Sequence, residues 1–192
     1  MSFLLDRTVR IAESFKQKLG GLASDKSGIA AVEFAMLLPL MLTLWLGSVE
    51  LSQGIAADRK VTLTARTISD LVSQVTSLSA TDMANSLSAA TAVMAPFPTG
   101  NLKATVSSVV IDANSKATVG WSCTYNGVAR SKGSAVTLPA ALLVANTSLI
   151  WSEVQYTYTP AIGYVVTGTL TLKDQIYMRP RLSDTITGPS SC

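Results

Sequence analysis

Two residues at the head of an apolar run are the best placed for a task in this chain: Gly28 and, five positions on, Glu33, in a stretch that is otherwise uncharged to Val49. An ionised side chain in hydrocarbon costs about 2.5–3.5 kcal/mol at a helix centre, so a membrane segment carries one near an edge or for a purpose. Glu33 is therefore read as functional, with Phe34 beside it.

The other chemistries are thinly supplied. Histidine is absent, which removes the commonest general base, the commonest metal ligand and the usual partner of a serine or cysteine nucleophile. No SxxK motif occurs, and Asp112 and Asp174 stand alone without metal-ligand spacing. No enzyme, cofactor, metal or small-molecule substrate is expected. Trp121, Trp151, Tyr156, Tyr158, Tyr164 and Tyr177 fall at strand positions, where aromatics serve as core and cross-strand pairs more often than as a ligand platform. Cys123 and Cys192 lie far apart without CxxC spacing and suit one disulfide outside the cytoplasm, with two unpaired thiols as the alternative. The net charge of +3 is scattered, so no nucleic-acid surface is expected.

The elements around Gly28 and Glu33 follow from periodicity. Residues 29–49 form a run of 21 with Glu33 its one charge, long enough to span a bilayer core of roughly 30 Å as a helix. A buried core helix is the alternative, but a chain with 14% charged residues and one such run has little to wrap around it. Residues 2–19 place Leu5, Val9, Ala12, Phe15 and Leu19 at helical spacing among Arg7, Arg10, Lys16 and Lys18, as a basic amphipathic helix on the inner membrane face would. Basic residues before Gly28 favour a cytoplasmic N-terminus, against Arg59, Lys60 and Arg66 beyond the span. A signal peptide ending near Ala56-Ala57 is the alternative, although its apolar run would be overlong.

Val61, Ala65, Ile68, Val72 and Val75 continue the helical period, so residues 29–77 are expected as one helix of about 75 Å, bent at Pro39. A second helix is expected over Thr81–Met94, stopped by Pro96 and Pro98. After Gly100 the period becomes two. Leu102 to Val110 and Ala117 to Cys123 read as a hairpin about Asp112–Ser115, with Asn126-Gly127 as a further turn and Leu138–Leu142 as a helical turn. Strands over 148–158 and 169–178 complete an antiparallel sheet.

The expected fold is α+β: a long N-terminal membrane-spanning helix running into an extracytoplasmic domain, where a second helix packs on an antiparallel sheet of four or more strands. The expected divisions are a basic cytoplasmic leader (1–28), a transmembrane helix (29–49), a helical extension with the second helix (50–95) and a β domain (96–192). Asp58-Arg59-Lys60 and Arg179-Pro180-Arg181 read as a solvated helix face and a strand terminus.

With Gly28, Glu33, Phe34 and the span in place, the chain resembles the type IV pilin-like proteins of the TadE/TadG group, which assist assembly of tight-adherence (Flp-type) pili. Ala65–Leu71 and Tyr158-Thr159-Pro160 add to the likeness. The resemblance implies that an inner-membrane prepilin peptidase cuts between Gly28 and Ile29, removing the leader. It also implies that Glu33 neutralises the freed amino group of a neighbouring subunit. The protein would then be a minor pilin or pseudopilin, with the inner membrane, the peptidase, other pilin-like subunits and the assembly machinery as partners, and its C-terminal domain in the periplasm. The alternative is an uncleaved, membrane-anchored periplasmic scaffold or binding domain, which needs neither Gly28 nor Glu33.

Overall fold

The computed structural model describes residues 27–163 and 167–192. The amphipathic helix expected over residues 2–19 and Tyr164 lie outside the described residues. The chain divides into two compact units, residues 1–47 and 48–192.

The apolar run and the stripe after it form a single helix, α1 (Ser27–Ser73), of 47 residues. Pro39 lacks the N–H for one ladder bond, yet the helix continues through it, and the Pro39 carbonyl accepts the Thr43 hydroxyl at 2.8 Å. α1 stops at Ser73, short of residue 77, where the Ser73 carbonyl takes the amide of Arg181 at 2.9 Å. The C-terminal tail thus supplies a partner to a carbonyl that a helix end leaves open.

Within the second unit, Ala57, Val61, Ala65, Ile68 and Val72 of α1 are fully buried in the main core. Their three- and four-residue spacing is the helical face that a sheet can cover. α2 (Ala80–Ala92) adds Met83, Leu87 and Ala90, and Met94 just beyond it is buried too.

Ser79 begins α2 through a capping box: its hydroxyl accepts the Asp82 amide at 3.1 Å, and the Asp82 carboxylate accepts the Ser79 amide at 3.2 Å. The same carboxylate accepts the Ser79 hydroxyl at 2.6 Å. These side-chain and backbone bonds hold the Asp82 carboxyl below its ordinary value of 3.8, against a smaller opposing effect of burial. A depressed carboxyl stabilises the fold above its unfolded pKa, and this contribution is lost as pH falls through the lowered value. Ser79→Ala is expected to cost about 1 kcal/mol. Thermal melts at neutral pH measure it, and an unchanged midpoint would show that the cap is idle.

The sheet comprises β1 (Leu102–Ile111), β2 (Ala117–Tyr125), β3 (Thr147–Tyr158) and β4 (Leu170–Met178) in the order β2-β1-β3-β4, every pair antiparallel. Leu102, Ala104 and Val106 of β1, with Ile150, Val154, Tyr156 and Tyr158 of β3, face the helices.

Ala117, Val119, Trp121 and Cys123 do not share a face, because the register slips between Ser108 and Val109, pairing Ser108 with Trp121 but Val109 with Val119. One extra residue, Gly120, turns every later side chain over. Trp121 and Cys123 therefore join the helix-side core, whereas Val109, Ile111, Ala117, Leu149 and Trp151 form a second cluster on the opposite face under Leu138.

Ser152 sits where α1 meets the sheet. Its hydroxyl donates to the Ala65 carbonyl at 2.7 Å and lies 2.5 Å from the Ser69 hydroxyl. Both serines are fully buried, and their small side chains let helix and strand approach closely while every hydroxyl finds a partner.

Candidate functional site

Gly28, Ile29, Glu33 and Phe34 all lie in the first two turns of α1 and all are exposed. A Cβ built on Gly28 would meet nothing within 4 Å. Between Ile29 and Trp45, eleven large apolar side chains are exposed, among them Phe34 at 58% and Met36 at 77%. Leaving a side chain of this size in water forgoes about 1.5–3 kcal/mol, so the run forgoes on the order of 20 kcal/mol until lipid or other helices cover it. Among the described residues this is the one helix long and apolar enough to cross a membrane.

Glu33, Leu37, Leu40 and Leu44 recur at four, three and four residues, which puts the carboxylate at the head of one leucine stripe. Ile29 lies four residues before Glu33, on the same side of the helix and one turn away. Gly28 and Glu33 are thus an exposed glycine and an exposed carboxylate within the first two turns of α1.

Cys123, fully buried, is joined to Cys192, the final residue, with Cα atoms 5.4 Å apart, inside the span a disulfide bridges. The tail before it is fastened by non-covalent contacts. Trp121 Nε1 donates to the Ile186 carbonyl at 2.8 Å, and the Leu78 amide donates to the Thr187 carbonyl at 2.9 Å. A Cβ on Gly188 would enter the Trp121 ring.

The remaining sequence candidates resolve into structural roles. Tyr156 and Tyr158 pack edge-on to Phe97, and Trp151 stacks on Tyr177 with ring centroids 5.6 Å apart. Burial raises the Tyr156 and Tyr177 hydroxyls above their ordinary pKa of 10.0, with Tyr158 adding to the first and Glu153 to the second, while Arg130 opposes the second. Arg181 is no bare strand terminus, since its guanidinium pairs with the Asp70 carboxylate on α1. No group of three or more potential metal ligands occurs among the described residues.

Some contacts had no signature in the sequence. Arg130 forks onto Glu153, with one N–O distance of 2.9 Å, and its guanidinium carbon lies 4.0 Å from the Trp151 ring centre. Nothing in a loop arginine and a strand glutamate 23 residues apart announces this. Glu50, one residue past the apolar run, is 3% exposed; its place at the end of that run was the available signal.

The family model described as TadE-like protein matches residues 28–69, a segment that lies wholly within α1 and starts at Gly28. No curated protein and no solved structure matches the chain.

Proposed function

From a chain that is TadE-like over residues 28–69, a likeness that points to Tad pilus assembly, we propose a minor pilin or pseudopilin-like subunit that helps assemble a tight-adherence pilus. The observation that carries this reading is the placement of Gly28 and Glu33 at the head of one exposed apolar helix, where the family match begins. That helix suits a single-pass membrane anchor. The N-terminus lies in the cytoplasm and the C-terminal domain in the periplasm of a bacterial inner membrane.

A prepilin peptidase cuts the Gly28–Ile29 bond. Gly28 lies one residue inside the start of α1, where the first amides lack helical partners and glycine is about 1 kcal/mol less favourable than alanine. The terminal turn can therefore open to present the bond, and glycine leaves the backbone unshielded by a side chain.

Hydrolysis leaves an ammonium on Ile29 at membrane depth. That charge and the Glu33 carboxylate are each costly alone in hydrocarbon, and each relieves the other when paired. Pairing of Glu33 with the new amino group of a neighbouring subunit gives adjacent helices a fixed longitudinal register, while the leucine stripe supplies their packing.

Gly28→Val tests the reading. In cells that contain the peptidase, the variant is expected to accumulate in the membrane as the full-length chain, while the parent is shortened. Equal lengths of parent and variant on immunoblots would favour an uncleaved envelope scaffold.

A further inference from the structure

An open cleft lies on the sheet face turned away from α1 and α2, and the proposed role in pilus assembly leaves it unused. Its floor is a row across three strands, Lys103–Gln155–Lys173, fixed by direct pairing of β1 with β3 and of β3 with β4. The next row along is Thr105–Glu153–Gln175. Its wall is the loop carrying Gly127 to Arg130. That wall is held down by the Arg130–Glu153 fork and by Arg130 over Trp151. Gly127 lies so close to β2 that a Cβ would fall 2.6 Å from the Thr124 hydroxyl oxygen.

The charges do not cancel. Arg130 and Glu153 neutralise each other, and Asp174 is turned to accept the Gln175 amide at 2.7 Å. Lys103 and Lys173 have no ion pair among the described residues. They are exposed and two strand spacings apart, roughly 9.5 Å between backbones. Between them Gln155, and beside them Gln175 and Thr105, offer groups that both donate and accept hydrogen bonds.

We propose that this cleft binds an acidic polysaccharide, with Lys103 and Lys173 on two carboxylates of the chain and Gln155, Gln175 and Thr105 on its hydroxyls. A peptide fits less well. The cleft lies over the middle of the sheet, where the β3 backbone is already paired on both sides, so no ladder is open to an added strand. Its floor has no apolar pocket for an anchoring side chain, and the one large apolar group of the wall, Val128, is 90% exposed on the rim. A hydroxyl-rich chain needs neither.

The test titrates full-length protein in detergent micelles with an oligogalacturonate, a neutral maltooligosaccharide of equal length and a polyglutamate of equal charge. The oligogalacturonate is expected to bind at least about tenfold more tightly than either control. The Lys103→Gln/Lys173→Gln double variant, substituted only at exposed positions, is expected to lose about tenfold in affinity and to reduce the slope of log affinity against log salt by about 2. Asp174→Asn, which removes an opposing charge, is expected to tighten binding. Absence of oligogalacturonate binding, polyglutamate binding of equal strength, or an unchanged salt slope in the double variant would each overturn the proposal.

Discussion

Glu33→Ala is expected to lower surface piliation sharply while the protein stays in the membrane at the parental level. Removing a carboxylate from the span lowers the cost of insertion, by as much as about 2.5–3.5 kcal/mol if the residue sits deep, so a fall in membrane level is not expected. Glu33 is exposed and belongs to no core cluster, so the second unit folds as before. If the Gly28–Ile29 bond is cut as proposed, the variant loses the partner for an ammonium in hydrocarbon, and one unpaired charge there is costly enough to undo a helix contact held mainly by apolar packing. Glu33→Asp keeps the charge on a side chain shorter by one methylene and is expected to retain part of the piliation. Counts of surface pili beside membrane immunoblots decide it. Normal piliation of the alanine variant would make the carboxylate incidental.

Cys192→Ser is expected to cost the second unit about 4 kcal/mol, the chain-entropy figure for a loop with a sequence separation of 69. For a unit of this size that is a fall in melting midpoint on the order of 10 °C. The tail's other fastenings survive the substitution: Trp121 on the Ile186 carbonyl, the Thr187 amide on the Thr76 carbonyl at 3.1 Å, and Arg181 on Asp70. They are single hydrogen bonds and a partly exposed ion pair, each contributing about 1 kcal/mol or less. They hold the tail in place once the disulfide has closed its ends, and cannot replace it. The check is a thermal melt of parent and variant, with alkylation of the parent under non-reducing conditions. Free alkylation of both parental thiols would contradict the pairing.

Much of the fold is legible in the sequence because it rests on period. The change from Val61-Ala65-Ile68-Val72 spacing to alternation after Gly100 marks the passage from α1 and α2 to the sheet, and Pro96 with Pro98 closes the helical region. The tight turn between β1 and β2 marks that pair as antiparallel. The side chains on the two faces of β2 are another matter. A bulge costs one residue and leaves no compositional trace beyond Gly120, so alternation alone does not reveal that Ala117 and Val119 lie on the face opposite Trp121 and Cys123. The end of α1 was also hidden, since it depends on Arg181, more than a hundred positions later, giving its amide to Ser73.

The candidate site was the more legible part. Gly28 and Glu33 lie in one helix, their spacing is local, and the cost of a charge in an apolar run does not depend on tertiary contacts. The cleft floored by Lys103, Gln155 and Lys173 was invisible for the opposite reason. Its three residues are brought into one row only by the pairing of β1 with β3 and of β3 with β4, and sequence distance gives no hint of that order. The ion pair of Arg130 with Glu153, which fixes its wall, is equally nonlocal.

Intact-mass measurement of the protein extracted from membranes of peptidase-positive cells tests the central claim most directly. A chain that begins at Ile29, lighter than the 192-residue sequence by residues 1–28, is expected. A mass that retains Met1 to Gly28 would contradict it.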